Sequence, residues 1–237
     1  MIAEKPSARE AQQRSLHDDR ADAVRYAVLQ RIAPAIRHDM VVNLQPIGMI
    51  YELMEHRVAT RREDMGALQE STAKMSRFAK AALASCVDGV TWLERDPAAL
   101  VPFAEGVGES VAMLGRTFGF MGFTLVNRVG GTACAVSRDA LRHTLTSALL
   151  AAIDTAPCPS DVILASEVGA HDLALSLDVV ARPGQRVLQP FLENYRRLDW
   201  DDVEAVATTE SVGFAHHGEG ATLFFHPREQ QEAGSLF

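Results

Sequence analysis

Apolar residues recur at spacings of four and three through the region 36–58, the period of one face of an α-helix. They are Ile36, Met40, Leu44, Ile47, Tyr51, Met54 and Val58. We predict a buried stripe on a helix over residues 22–57, bent at Pro34 and Pro46 because proline lacks the backbone donor. Two shorter helices are the alternative, but the stripe continues in phase past Pro46. Arg31, His38, Gln45 and Glu52 recur every seven residues on the opposite face, which is predicted to lie in water.

A second helical period begins after a break near residues 59–64. Its members are Met65, Leu68, Thr72, Met75, Ala79, Ala82, Cys86, Val90 and Leu93. Two long helices joined by a short turn form an antiparallel hairpin, and one hairpin carries more apolar surface than it can bury alone. We therefore expect a homodimer in which two hairpins form a four-helix bundle.

The chain changes character after Asp96–Pro97. The pattern predicts a helix, or a strand and a helix, over 100–113, a glycine-rich turn over 115–122, and short strands at 123–126 and 133–136. A helix over 137–153, capped by Ser137 or Asp139 and with His143 on its exposed side, is followed by strands at 161–167, 173–181 and 221–225. A further helix is predicted at 200–209, with Asp199–Asp202 as its capped and solvated start. The expected fold is α+β, divided into a flexible segment 1–19, a hairpin 20–95, an α/β sandwich 96–228 and a tail 229–237.

Composition narrows the classes of protein. A 47% hydrophobic content with 23% charged residues is typical of a globular chain. No apolar run approaches the roughly 18 residues of a membrane span, and the N-terminal residues do not resemble a signal peptide, so we expect a cytoplasmic protein without a membrane partner. Residues 20–95 contain 11 Lys/Arg and 9 Asp/Glu, and residues 96–237 contain 9 and 18, which argues against nucleic acid. The three scattered cysteines favour reduced thiols over disulfides or zinc.

His38 is the strongest candidate for a chemically reactive side chain. An isolated helical histidine is usually a surface residue without a role, but Asp39 follows it directly and can fix the ring tautomer by accepting a hydrogen bond. Arg37, Asn43 and Gln45 place a cation and amide donors within about two turns. This combination is typical of a nucleophilic histidine that accepts a phosphoryl group. No metal site is predicted, because adjacent histidines such as His216 and His217 would point to opposite faces if they lay on a strand.

Arg37–His38–Asp39, followed by Asn43–Leu44–Gln45 and Ile47, resembles the H-box of sensor histidine kinases. It is especially similar to the Arg-His-Asp and Leu-Gln version of the sporulation-type phosphotransferases. The resemblance implies that His38 is the phosphoacceptor and Asp39 its polarising acid. Kinases with phosphatase activity carry Thr, Asn or Gln four residues after the histidine, and Val42 stands there in this chain.

The element order after residue 96 is similar to the ATP-binding domain that follows the hairpin in histidine kinases. The helix at 141–154 takes the place of the N-box helix, where the family carries paired asparagines for magnesium and phosphates. Ser147 and Ala151 stand at those positions, and Ala181–Gly184 lacks the aspartate of the adenine-binding loop. The resemblance therefore implies a degenerate ATPase-like domain with no cofactor of its own, the Mg²⁺ being expected on a partner receiver domain.

These observations predict a histidine phosphotransferase that relays phosphoryl groups between response-regulator receiver domains through His38, without ATP-dependent autophosphorylation. The alternative is a non-catalytic dimeric interaction module that binds and regulates a receiver or a kinase. A third hypothesis, an active kinase with a divergent nucleotide loop, predicts ATP binding.

Overall fold

A computed structural model describes residues 8–60, 65–92, 94–132, 134–184 and 195–228. Two long helices come first, α1 (Ala8–Ala59) and α2 (Met65–Thr91). The remaining elements are β1 (Leu100–Pro102), α3 (Phe103–Phe120), β2 (Phe123–Asn127), β3 (Ala135–Ser137), α4 (Arg138–Thr155), β4 (Ser160–Val168), β5 (Leu173–Ala181), α5 (Trp200–Thr209), β6 (Gly213–His217) and β7 (Gly220–Phe225). Helices and a mixed sheet together confirm the α+β class.

The chain forms two compact units. One is Ile32–Arg95, here called the hairpin unit, and the other combines Met1–Arg31 with Asp96–Phe237 and is here called the α/β unit. The hairpin was predicted to begin at residue 20, whereas residues 20–31 belong to the α/β unit. Residues 8–19, expected as a flexible segment, are helical. Residues 1–7 of that segment and the predicted tail 229–237 lie outside the described residues.

The buried residues of α2 in the hairpin unit include several small ones. Ser71, Ala82 and Gly89 are buried on α2, whereas Val90 of the predicted stripe is half-exposed. On α1, Ile36, Met40, Ile47 and Met54 are partly buried, as their period predicts. Leu44, Tyr51 and Val58 are 51%, 58% and 52% exposed in the single chain. The predicted α1 stripe is therefore only partly covered within one hairpin.

The segment of α1 from Asp18 to Arg31, here called the α1 arm, belongs to the α/β unit. Its buried residues Ala21, Val24, Ala27 and Val28 share one helical face. Arg31, which the sequence placed on a solvated face, instead forms a buried bidentate ion pair with Asp154 of α4, with 2.9 Å between Nη2 and Oδ1. A local period could not reveal this partner, because it lies 123 residues further along the chain.

Arg20 of the α1 arm forms ion pairs with the first residues of α5. Arg20 donates to Asp202 at 2.6 Å and to Asp199 at 2.8 Å. Asp199 caps α5 and forms a reciprocal capping box with Asp202, so the predicted capped start of this helix is confirmed. Asp202 itself is buried rather than solvated, because Arg20 and Arg196 both bond its carboxylate.

Arg25 reaches the far end of α5. It donates to Glu210 at 2.8 Å, and His143 of α4 lies 2.8 Å from the same carboxylate oxygen. Burial opposes ionisation of Glu210, but the hydrogen bonds and charges of His143 and Arg25 outweigh it, so its pKa lies below the ordinary value. His143, expected on an exposed helical face, therefore joins an ion-pair cluster of three elements.

The main sheet has the strand order β2-β4-β5-β7-β6. β2 and β4 are parallel and the other neighbours antiparallel, while β1 and β3 form a separate antiparallel pair. α4 contacts α3, α5 and the sheet, and its inward residues include Leu141, Leu145 and Leu149. Ser137 caps α4 by accepting from the Ala140 N–H, which decides between the two predicted caps.

Two elements differ from the sequence prediction. α3 continues through Gly115 to Phe120, where a glycine-rich turn was expected. β6 was not predicted, and it forms by pairing with β7. None of the described helices has both the length and the apolar character needed to cross a membrane.

Candidate functional site

His38 lies on α1 in the hairpin unit with its side chain 57% exposed. Its Nδ1 is 3.2 Å from Oδ1 of Asp39. An ionised carboxylate only accepts hydrogen bonds, so this contact favours a proton on Nδ1, and in that tautomer the lone pair is on Nε2. A solvent-accessible imidazole with this tautomer has the electronic arrangement of a nucleophile.

Asn43 connects the residue beside His38 to the second helix. Its Nδ2 donates to the backbone carbonyl of Asp39 at 2.9 Å and to the hydroxyl of Ser85 at 3.2 Å. Ser85 in turn donates to the carbonyl of Ala81 at 3.1 Å. The sequence suggested that Asn43 supplies an amide to a phosphoryl group, but the structure turns this amide toward α2.

The other supporting residues remain on the surface of α1. Arg37 and Gln45 are both exposed. Gln45 shares the helical face of His38 about 10 Å further along the axis, seven residues at ~1.5 Å each. Val42, one turn after His38, is half-exposed and carries no group that could orient a water molecule. The sequence thus brings His38 and Asp39 into contact, and leaves the amide of Gln45 two turns away.

Ser85 and Gly89 of α2 were missed as members of this site. A Cβ built on Gly89 would lie 2.8 Å from Cγ2 of Ile36 and 3.8 Å from Cε of Met40, the residues two before and two after His38. Serine and glycine are not apolar side chains of any size, so a period of apolar residues does not include them. Their spacing of four residues was the available signal.

In the α/β unit, two residues of α4 stand where the family resemblance places the ligands of a magnesium nucleotide. Ser147 and Ala151 are buried, at 1% and 0% exposure. The Ser147 hydroxyl donates within its own helix to the carbonyl of His143 at 2.6 Å, and Ala151 has no polar side-chain atom. A metal ligand must offer a donor atom toward an accessible site, so these two residues do not fit such a group.

His216 and His217 have structural partners. His216 stacks on Trp200 with ring centroids 5.0 Å apart, and His217 Nε2 lies 3.1 Å from the Thr222 hydroxyl. Within the described ranges, no group of three or more His, Cys, Asp or Glu side chains is arranged to hold a metal ion. The three cysteines are half-buried thiols.

No protein-family model and no curated protein matches the chain. Among solved structures, it is similar to the catalytic domain of the histidine kinase ThkA, with 14% identity and a TM-score of 0.40 over 54% of this chain and 94% of that one. A bacterial phosphotransferase has 13% identity and a TM-score of 0.37 over 95% and 100%. ThkA in complex with the response regulator TrrA has 12% identity and a TM-score of 0.41 over 97% and 69%. Likenesses at this level do not assign an activity or a partner to the chain.

Proposed function

We propose that this chain is a histidine phosphotransferase that accepts a phosphoryl group on His38 from one receiver domain and passes it to another. The observation that carries the proposal is the exposed His38 ring, held by Asp39 in the tautomer with its lone pair on Nε2. Such a relay would work in the cytoplasm, with response-regulator receivers as its partners.

The chemistry needs one bond to form and one to break. Nε2 of His38 attacks the phosphorus of a receiver's aspartyl phosphate, and the N–P bond forms as the acyl P–O bond breaks. The electron pair of the broken bond leaves on the receiver's carboxylate. The ring keeps its proton on Nδ1 and becomes positively charged, and the adjacent carboxylate of Asp39 stabilises that charge. The reverse reaction with a second receiver regenerates neutral His38.

Several features of the α/β unit argue that ATP is not the phosphoryl source. Transfer from a nucleotide requires Mg²⁺ and donors that neutralise the charge of the phosphates. Ser147 and Ala151, the two positions that would supply them, are buried and lack a suitable outward donor. A receiver brings its own Mg²⁺ site, so this chain needs no cofactor of its own. We assign the α/β unit a role in docking and support.

The same proposal includes a homodimer. Leu44, Tyr51 and Val58 stand seven residues apart on α1, and Leu83, Val87 and Val90 stand four and three apart on α2. All six are about half-exposed or more in the single chain. A second hairpin placed against these stripes would bury them in a four-helix bundle, whereas contact with water leaves their apolar area unfavourably hydrated.

The test is phosphate transfer from phosphorylated receiver domains of the same organism. Acid-labile, base-stable label should appear on the wild type and on His56→Ala, which removes another exposed histidine of α1, but not on His38→Ala. Label that persists on His38→Ala would contradict the acceptor assignment. Binding of a receiver without label on the wild type would favour the interaction module, and label from Mg-ATP alone would favour an active kinase.

A further inference from the structure

Gly89 of α2 lies close to the residues of α1 that flank His38. Gly89 is buried there, and a methyl group in its place would lie 2.8 Å from Cγ2 of Ile36. That separation is shorter than carbon atoms tolerate without movement. Ile36 and Met40, the two neighbours of Gly89, flank His38 in the sequence.

Glycine is a poor choice within a helix unless something requires it. It costs about 1 kcal/mol relative to alanine through backbone entropy. Glycine is favoured near helix ends where φ is positive, but the glycines with positive φ in the described chain are Gly122, Gly184 and Gly218. Gly89, two residues before the end of α2, is therefore explained by the close approach to Ile36 rather than by capping.

A polar link fixes the same pair of helices one turn away. Ser85 precedes Gly89 by four residues and accepts a hydrogen bond from Asn43. Asn43 also bonds the backbone of Asp39, whose carboxylate holds the His38 ring. A side chain at position 89 would therefore push against α1 beside His38, and the Asn43–Ser85 bond joins the same two helices.

We infer that Gly89, together with the Asn43–Ser85 hydrogen bond, is a positioning element that fixes where the His38 ring stands relative to a docked phosphoryl donor. This inference rests on the proposed function. In-line transfer requires reacting atoms roughly 3–3.5 Å apart and aligned, and a displacement of about 1 Å can cost about 100-fold in rate. A displaced ring is no longer aligned with the phosphoryl group of a docked receiver. A small donor that diffuses freely can react with the ring in either position.

The experiment compares two donors, a phosphorylated receiver and phosphoramidate. Gly89→Ala should lower the transfer rate from the receiver about 10-fold or more and leave phosphorylation by phosphoramidate within about twofold of the wild type. The matched control is Gly48→Ala, another helical glycine of the hairpin, where an added Cβ meets nothing within 4 Å. It should transfer as the wild type does.

Removing the clashing atom should restore the rate. Ile36→Ala deletes Cγ2, so Gly89→Ala combined with Ile36→Ala should recover most of the transfer that Gly89→Ala loses. Ser85→Ala introduces no clash and removes the acceptor of the Asn43 bond, and it should slow transfer from the receiver several-fold without affecting phosphoramidate. It is the second variant if Gly89→Ala does not fold by circular dichroism.

The outcomes are distinct. Wild-type transfer rates in folded Gly89→Ala and in Ser85→Ala would overturn the inference, and so would an equal loss with both donors, which indicates general disruption. If the wild type takes no phosphate from a receiver, the proposed function fails, and the NMR chemical shifts of the His38 ring test the positioning role separately. These shifts should change in Gly89→Ala and return to the wild-type values in Gly89→Ala combined with Ile36→Ala. Unchanged shifts in Gly89→Ala would overturn the inference.

Discussion

Removing the charge of Asp154 should destabilise the α/β unit by about 3–5 kcal/mol, the usual cost of breaking a buried ion pair. The side chains of Asp154 and Arg31 are 1% and 8% exposed. Asp154 also accepts the backbone N–H of Leu198 at 2.8 Å. Asp154→Asn keeps the size of the side chain and its bond to Leu198, but it deprives the buried guanidinium of its carboxylate partner. The loss therefore reports the charge pair rather than packing.

The assay is urea unfolding followed by the fluorescence of Trp200 in α5, with Trp92 of the hairpin replaced by phenylalanine in every variant. With a slope of about 2 kcal/mol per molar, the midpoint should fall by about 2 M. Asp201→Asn is the matched control, because Asp201 is 78% exposed and 3.8 Å from Arg20. Such a surface pair should contribute less than about 1 kcal/mol.

A double variant tests whether the unpaired charge of Arg31 causes the loss of stability in Asp154→Asn. Arg31→Met with Asp154→Asn removes both charges, and it should recover part of the stability that Asp154→Asn loses, since the uncompensated cation is gone. A midpoint of Asp154→Asn within about 0.5 M of the wild type would refute the reasoning. It would mean that the α1 arm is not fastened to α4 by this pair.

Two further predictions concern the dimer and pH. If the proposed dimer forms through the apolar stripe of α1, Tyr51→Glu, which places a charge in that stripe, should be a monomer in analytical ultracentrifugation, whereas Gln45→Glu on the polar face should be a dimer like the wild type. The folded-state pKa of Glu210 is lowered, so its stabilising contribution is present above the unfolded value of about 4.5 and is lost as pH falls through the folded-state pKa. The difference in urea midpoint between the wild type and Glu210→Gln should therefore shrink below pH 4.5, and a constant difference would contradict this linkage.

The long helices could be predicted because their apolar residues repeat over many turns. The contact between them could not be predicted in the same way. Gly89 of α2 packs against Ile36 of α1, and Ser85 accepts a hydrogen bond from Asn43, but small residues contribute little to a hydrophobic period. Val90, a larger apolar residue of the predicted α2 stripe, is half-exposed in the single chain. A period identifies the apolar side of a helix, but it does not say which part of that side faces its neighbour.

The α1 arm shows a second limit of local patterns. Arg31 was predicted on a solvated face, yet Arg31, like Arg20 and Arg25, bonds a carboxylate more than 120 residues away. β6 was missed for a related reason. Its residues are mostly exposed and end in two histidines, so no alternation marks the strand, and its pairing with β7 decides its structure.

The candidate site combines a local part that sequence can predict with a distant part that it cannot. His38 and Asp39 are neighbours in the chain, so the residues alone predict their contact and the tautomer that follows. The position of that pair depends on Asn43 meeting Ser85, 42 residues away, and on the missing side chain at Gly89. A chain that kept His38 and Asp39 but filled the space at Gly89 would retain the nucleophile and lose its alignment with a docked donor. The H-box resemblance therefore predicts the reacting atom, and the role we propose for α2 is to set whether a receiver can reach that atom in line.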